Sequence, residues 1–108
     1  MPYDPHLADL MREALEGKLG IVEKKMFGGY CWMLNGNMLC GVEVGRFMFR
    51  VGGELEAQAL ARPGARPMDI TGKPMRGFVW VAADDAIETG LRDWIDFAAR
   101  YVGSLPPK

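Results

Sequence analysis

The chain has 108 residues, of which 49% are hydrophobic and 25% charged, and its formal net charge is -1. About 100 residues is the size of one compact core, so we expect 1–108 to form a single domain. No apolar run approaches the ~20 residues that cross a bilayer, and no secretory signal precedes the first predicted element. Two cysteines are too few for the disulfide scaffold of a small secreted domain. We therefore expect a cytoplasmic protein without membrane contacts.

The first predicted element is a helix from about Pro5 to Glu16. Asp4 can cap its first turn, and proline suits the first helical position because that position needs no N–H group. Gly17 is suited to end the helix in a left-handed conformation. The apolar residues recur at helical spacing and form one stripe: Leu7, Leu10, Met11, Ala14 and Leu15. This stripe must pack against another element.

Between Ile21 and Val51 the apolar pattern changes to period two, which predicts a three-stranded meander. Asn35-Gly36 is typical of a two-residue hairpin turn, and Val44-Gly45 predicts a second tight turn. These turns would make one face wholly apolar, with Cys31, Met33, Met38, Cys40, Val42, Phe47, Phe49 and Val51. The opposite, mixed face would carry Trp32, Leu34, Leu39, Gly41, Glu43, Arg46, Met48 and Arg50. We expect the apolar face to pack on the helices.

The remaining elements are a short helix within Gly53–Arg62 and two short strands, Met68–Ile70 and Gly77–Val81. A connection over Thr71–Met75 joins these strands. A last helix, capped by Asp84 or Asp85, covers about 85–102, with Gly90 as a tolerated interior glycine. The order α-β-β-β-α-β-β-α predicts an α+β fold, an antiparallel sheet of about five strands with helices packed on one face.

Catalytic side chains are scarce in this sequence. His6 is the single histidine, and the carboxylates fall mostly on the predicted outer faces of helices. We therefore expect no enzyme, no metal site and no cofactor. The hairpin register would place Cys31 opposite Cys40, which makes a cross-strand disulfide conceivable. Because both would lie on an apolar face of a cytoplasmic protein, we interpret them as buried free thiols.

Charge and methionine are unevenly distributed along the chain. The segment from Arg62 to Arg76 contains four cations and one carboxylate, Asp69, whereas the last helix carries an excess of acidic residues. A basic segment of this kind can bind an anion, nucleic acid or an acidic partner, or can simply be solvated. Four methionines near the glycine-rich segments or on the mixed face could form an adaptable apolar contact patch, unless the 62–76 segment covers that face: Met26, Met48, Met68 and Met75.

Three short motifs occur in order along the chain: Lys25-Met26-Phe27-Gly28-Gly29-Tyr30, the Asn35-Gly36 turn, and Gly72-Lys73-Pro74-Met75. This arrangement resembles the N-terminal domain of the TfoX/Sxy family. The resemblance implies a five- or six-stranded antiparallel sheet packed by helices, and a role in regulating competence genes together with the cyclic-AMP receptor protein. Two-domain members continue into a C-terminal helical domain, so a chain ending at Lys108 is expected to be a stand-alone N-terminal domain. The resemblance implies no catalytic residues.

These observations favour a non-enzymatic protein-interaction module, an accessory regulator of transcription. Its candidate interaction surface comprises Lys24, Lys25, Phe27, Gly28, Gly29, Trp32, Arg46, Met48, Arg50, Arg62, Arg66, Lys73, Pro74, Met75 and Arg76. The alternative is a small-molecule or anion-binding domain with a pocket near Gly28-Gly29 and Gly72-Lys73. We expect a protein partner, with a homodimer as a further option. Direct nucleic-acid binding ranks third.

Overall fold

The computed structural model describes residues 4–26, 29–70 and 72–108, with residues 26, 70, 73 and 74 given by their backbone. The helices are α1 (Pro5–Ala14), α2 (Glu56–Leu60), α3 (Ala83–Thr89) and α4 (Leu91–Val102). The strands are β1 (Ile21–Met26), β2 (Gly29–Leu34), β3 (Asn37–Val42), β4 (Arg46–Arg50), β5 (Ala65–Ile70) and β6 (Lys73–Ala82). Within the described residues, no helix is long and apolar enough to cross a bilayer.

The α+β fold is confirmed, since all strand pairs are antiparallel in one sheet of order β1-β2-β3-β4-β6-β5. Within the described residues the sheet has six strands, where the sequence predicted about five. The additional strand is β1, which pairs along its whole length with β2. One large core joins the helices to one face of the sheet. At its centre the Phe49 ring stacks on Trp94 of α4, with ring centroids 5.1 Å apart.

Helix α1 begins as its sequence predicts but ends at Ala14, two residues before the predicted end. The Asp4 carboxylate accepts a hydrogen bond from the backbone N–H of His6 at 2.9 Å, which satisfies a donor of the first turn. Leu7 and Met11 are buried in the core. Beyond the helix, Gly17 has a φ of 86°, the left-handed conformation that glycine adopts without strain.

The hairpin between β2 and β3 contains a bulge that the sequence analysis missed. Asn35 and Gly36 both have positive φ, so the predicted turn is confirmed, and Met33 pairs with Met38 as expected. The register then shifts by one residue at Leu39, because Trp32 pairs with Cys40. A one-residue shift moves every following side chain of a strand to the opposite face.

The bulge reverses the predicted faces of β2. Trp32 and Leu34 belong to the helix-side core, whereas Cys31 and Met38 lie on the opposite side of the sheet. The predicted faces of these four residues were therefore wrong, and so was the predicted face of Met33, whose pairing with Met38 is as expected. Cys40 and Val42 do lie in the helix-side core as predicted. The Val44-Gly45 turn is also confirmed, since Val42 pairs with Phe47 and Cys40 with Phe49.

The second half of the chain differs from the prediction mainly in element length. Helix α2 covers five residues, and β5 and β6 extend beyond the predicted strands. Because Ile70 pairs with Lys73, β6 begins earlier than predicted, and residues 73–75 of the predicted connection belong to this strand. The predicted last helix is two helices, since Gly90 has φ 112° and ψ 116°. No side chain caps α3, so the predicted Asp84 or Asp85 cap was wrong.

Candidate functional site

The sheet face that carries no helix, hereafter the open face, has a small apolar cluster of its own. Cys31, Met48 and Met68 are buried there, contributed by β2, β4 and β5. Four partly buried side chains pack against them: Met38, Met75, Phe78 and Trp80. Sulfur-containing and aromatic side chains therefore form the open face.

A cavity of about 530 Å³ lies over the middle of the open face. Its sulfur-bearing lining residues are Cys31, Met33, Met38, Met48, Met68 and Met75. Gly41 forms part of the floor, where a Cβ atom would lie 3.2 Å from the Cys31 sulfur and 3.3 Å from the Met48 methyl carbon. The absence of a side chain at Gly41 thus lets these two side chains meet above β3. This volume is in the range of sites that hold small ligands or anchor side chains.

Two arginines of β4 border the cavity and rest on aromatic rings. The Arg46 guanidinium lies 3.7 Å from the centroid of the Trp80 ring, and its Nε donates to the Glu43 carboxylate at 2.9 Å. The Arg50 guanidinium lies 5.4 Å from the Phe78 ring centroid. Attraction to the ring faces holds both cations beside the apolar floor while their charge remains accessible to solvent.

Further cations lie on the same face of the sheet. Lys24 of β1 is directly opposite Cys31, and Arg66 of β5 is directly opposite Trp80. Both side chains are exposed. Among the described residues that line the cavity, the carboxylates are Glu43 and Asp69. Positive charge therefore exceeds negative charge around the cavity.

The last residues of the chain close one end of the cavity. The Lys108 N–H donates to the Asn35 carbonyl at 2.9 Å, and the side-chain amide of Asn37 donates to the Pro106 carbonyl at 3.0 Å. Lys108 lines the cavity beside Gly36. A Cβ atom at Gly36 would lie 2.5 Å from the Lys108 oxygen, so glycine is required for this contact as well as for the turn.

The family model of the TfoX N-terminal domain matches residues 13–101, from the last two residues of α1 to the penultimate residue of α4. This chain belongs to the TfoX N-terminal domain family. The matched region contains every strand of the sheet and nearly all of the cavity lining. The family is in general of a regulator type, so the chain is a regulator-type domain. No match was found among curated proteins or solved structures.

The residues that we predicted as one surface are divided between the two sides of this TfoX N-terminal domain. Arg46, Met48, Arg50, Met75 and Gly29 line the cavity. Lys24 and Arg66 occupy open-face positions at its sides. These residues form the part of the predicted surface that the fold brings together.

Three predicted surface residues lie elsewhere. Trp32 is 1% exposed in the helix-side core, because the bulge turns it away from the open face. The Arg62 guanidinium packs 4.4 Å from the Phe97 ring centroid. Arg76 borders a separate cleft with Tyr101. All three are on the helix side of the sheet, so their assignment to one surface with Arg46 was wrong.

The other predicted positions and the alternative pocket can also be placed. Lys25 is opposite Tyr30, which packs against the helix-side core. Phe27 and Gly28 lie outside the described residues. The backbones of Lys73 and Pro74 begin β6. Gly29 lines the cavity, and the alternative pocket near Gly28-Gly29 and Gly72-Lys73 stays a prediction, because Gly28 and the Lys73 side chain lie outside what the structure describes.

Sequence reasoning assigned Cys31, Met33 and Met38 to the wrong face and did not single out Phe78 or Trp80. The alternation of Phe78, Val79, Trp80 and Val81 was the available signal, since it predicts two aromatic residues on one face of β6. Met68 and Met75 were identified as members of an apolar patch, and both line the cavity.

The two thiols are free and lie on opposite faces of the sheet. Cys31 pairs with Gly41, whereas Cys40 pairs with Trp32 and donates to the Met11 sulfur at 3.8 Å. The predicted Cys31–Cys40 pairing was therefore wrong. Burial raises the pKa of both thiols. Within the described part of the chain, no group of three or more His, Cys, Asp or Glu side chains is arranged to hold a metal ion.

Proposed function

We propose that this TfoX N-terminal domain is a non-enzymatic, cytoplasmic protein-interaction module that acts as an accessory regulator of transcription. Membership of the family supports the regulatory class. The single observation that supports docking on the open face is the cavity of about 530 Å³ with Arg46 and Arg50 beside it. A sheet face with an apolar floor and charged borders is the usual composition of a binding patch.

The chemistry of this face favours an acidic, amphipathic segment of a partner protein. Methionine side chains adapt to different apolar surfaces because they are unbranched and polarizable, so they can accept the apolar residues of such a segment. Lys24, Arg46, Arg50 and Arg66 then supply charges complementary to its carboxylates. An amphipathic helix laid into the cavity meets both requirements.

A pair of designed peptides tests this proposal. One is a fluorescent amphipathic helix of leucine and glutamate, and the other has lysine at every glutamate position. We expect the acidic peptide to bind more tightly in fluorescence anisotropy. Arg46→Glu/Arg50→Glu should weaken binding of the acidic peptide by roughly tenfold and favour binding of the basic one, since two charges beside the cavity are reversed.

The matched control is Arg76→Glu/Arg92→Glu, which makes the same charge change at exposed positions outside the open face. Equal loss of binding in both double variants would show a general charge effect and would contradict the docking site. If the unaltered chain bound the basic peptide more tightly than the acidic one, the docking site would also be contradicted. Sedimentation equilibrium measures whether a second copy of the chain occupies the face instead.

The regulatory part of the proposal has its own experiment. Transcript profiles of cells that carry Arg46→Glu/Arg50→Glu should resemble those of a deletion strain, whereas Arg76→Glu/Arg92→Glu should resemble the wild type. If the profiles of both variants match the wild type, the accessory regulatory role is wrong. A mobility-shift titration with DNA at increasing salt concentration tests direct DNA binding, because the affinity of a protein for DNA falls steeply with ionic strength.

A further inference from the structure

Sulfur atoms are concentrated in the cavity of the open face. Five of the chain's eight methionines line it, together with one of the two cysteines. Among the described lining residues, Val42 is the only one of the Val, Leu and Ile type, and its side chain belongs to the helix-side core. The apolar floor is therefore built from thioether, thiol and aromatic groups, although leucine and isoleucine would serve equally well for burial.

The geometry brings several of these sulfur-bearing side chains together. The Cys31 sulfur and the Met48 methyl carbon converge above Gly41, at 3.2 Å and 3.3 Å from the position of its absent Cβ atom. Met68 is buried in contact with the same cluster, and Met38 and Met75 pack against it. The donors come from five neighbouring strands of a hydrogen-bonded sheet, which is a rigid scaffold for a site.

Sulfur ligands of this kind select soft metal ions. Thiolate and thioether groups favour Cu(I), whereas carboxylate and carbonyl oxygens favour Mg²⁺, Ca²⁺ and Mn²⁺. One thiolate also balances the single positive charge of Cu(I), so the complex brings no net charge into the apolar floor. Both properties match a cluster with one cysteine and several methionines.

We propose that the open face binds one Cu(I) ion through the Cys31 thiolate and the thioethers of Met48 and Met68, with Met38 and Met75 beside them. The ion takes the place of the Cys31 thiol proton, which passes to the solvent, and the copper remains Cu(I). This site is independent of the docking role proposed above. Its occupancy would add a metal-dependent state to the same face.

Methionine methyl NMR tests the site directly. The chain is labelled with ¹³C at the methionine methyl groups and titrated with Ag(I), a soft monovalent probe that is stable in air. We expect the Met48 and Met68 methyl signals to move and to saturate at a single equivalent. The Met11 methyl signal should stay unchanged, because Met11 is buried on the helix side of the sheet. Movement of Met11, or no saturation, would overturn the proposal.

Affinity measurements with Cu(I) itself give the second readout. An anaerobic competition against a chromophoric Cu(I) chelator compares Cys31→Ala with Cys40→Ala, since Cys40 is the buried thiol on the other face. We expect Cys31→Ala to lower the affinity by at least about tenfold, the smallest loss typical of removing a group that supports a metal ion. Equal affinities of the two variants would contradict the site.

The thioether contribution is tested by two further variants. Met48→Leu/Met68→Leu should weaken Cu(I) binding, whereas Met11→Leu should not. Met48 and Met68 are buried, so replacing them also changes the packing of the cluster. Met38→Leu/Met75→Leu is therefore a second variant, and circular dichroism verifies that each variant is folded. Leucine keeps the floor apolar, so these variants should still bind the acidic peptide. Metal binding that Met48→Leu/Met68→Leu leaves unchanged, together with retained peptide binding, would contradict this site and leave the docking proposal intact.

Discussion

The indole N–H of Trp32 donates a hydrogen bond to the carboxylate of Glu23, with 3.1 Å between nitrogen and oxygen. Arg12 of α1 binds the same carboxylate, with Nε 2.6 Å from Oε1. The Trp32 ring is buried in the helix-side core while Glu23 is on the neighbouring edge strand. This carboxylate therefore connects the first helix, the edge strand β1 and the core.

This connection gives a pH dependence with a definite sign. The hydrogen bond from Arg12 lowers the pKa of Glu23 in the folded state. The stabilisation is therefore present above the ordinary glutamate pKa of about 4.3 and is lost as the pH falls through the lower folded-state value. Because both side chains are about a third or more exposed, we expect less than about 1 kcal/mol.

Urea unfolding of Glu23→Gln at neutral pH and at decreasing pH measures this effect. The variant should be less stable than the wild type at neutral pH, and the difference should shrink as the pH drops below the glutamate range. Glu88→Gln, at an exposed position of α3, is the control and should show no such trend. If the stability difference between Glu23→Gln and the wild type does not change with pH, the Arg12–Glu23 pair makes no electrostatic contribution to stability.

The bulge at Leu39 makes opposite predictions for two adjacent residues of β2. Trp32 is 1% exposed, whereas Met33 is only partly buried on the open face. Trp32→Ala should cost about 3–5 kcal/mol in the free energy of unfolding, the usual cost of truncating a buried aromatic side chain. Met33→Ala should cost less than about 2 kcal/mol, since solvent already reaches its side chain.

Denaturant titrations of the two variants test the register. The unbulged register that the sequence suggested would give the reverse order, with Met33 in the core and Trp32 at the surface. A larger cost for Met33→Ala than for Trp32→Ala would therefore contradict the bulge at Leu39. If Trp32→Ala removed the Trp32 fluorescence but changed the free energy of unfolding little, the bulge would be contradicted as well.

The sequence predicts the turn at Asn35-Gly36 well because both turn positions need positive φ, which few residue pairs tolerate. The bulge is not predictable in this way. Leu39 and Cys40 are both apolar, and each is fully buried in the helix-side core. Either register therefore yields an alternation of apolar residues, and the tertiary packing of Trp32 decides between them.

The open face was only partly predictable for a related physical reason. Both faces of β3 and β4 are buried, so hydrophobicity alone does not identify the face that meets the helices. Arg46, Met48 and Arg50 were placed correctly, because they alternate along β4 with the two phenylalanines Phe47 and Phe49. Their contacts with Phe78 and Trp80 depend on the pairing of β4 with β6, which is distant in sequence.

Gly90 separates α3 from α4 and gives a third prediction. Its φ of 112° is strained for a residue with a Cβ atom. Gly90→Ala should therefore lower the stability by about 1–3 kcal/mol. In a single continuous helix the same change would raise stability by about 1 kcal/mol, because alanine is the better helix former.

Thermal and urea unfolding decide the sign of the Gly90→Ala effect. Glu88→Ala, at an exposed position within α3, is the control for general helix propensity and should change stability little. A stabilised Gly90→Ala protein would contradict the break between α3 and α4.

The last prediction concerns the reactivity of the two thiols. Burial raises the pKa of Cys31 and of Cys40, and Cys40 is also affected by the neighbouring Cys31. Because the thiolate is the reactive form, both should be labelled by a disulfide reagent at pH 8 at least about tenfold more slowly than in urea. Cys40, with no exposed area, should react more slowly than Cys31.

Single variants assign the rates, since Cys40→Ala leaves only Cys31 to be labelled and Cys31→Ala leaves only Cys40. Mild oxidation should produce no bond between the two sulfurs, because they lie on opposite faces of the sheet. A raised folded-state pKa also means that stability is fully present below the ordinary thiol pKa of about 8.5 and declines as the pH rises above it. Replacing Cys40 with alanine should flatten that decline. A Cys31–Cys40 disulfide found by mass spectrometry in folded protein would require the unbulged register, and the sulfur-lined cavity would then be wrong as well.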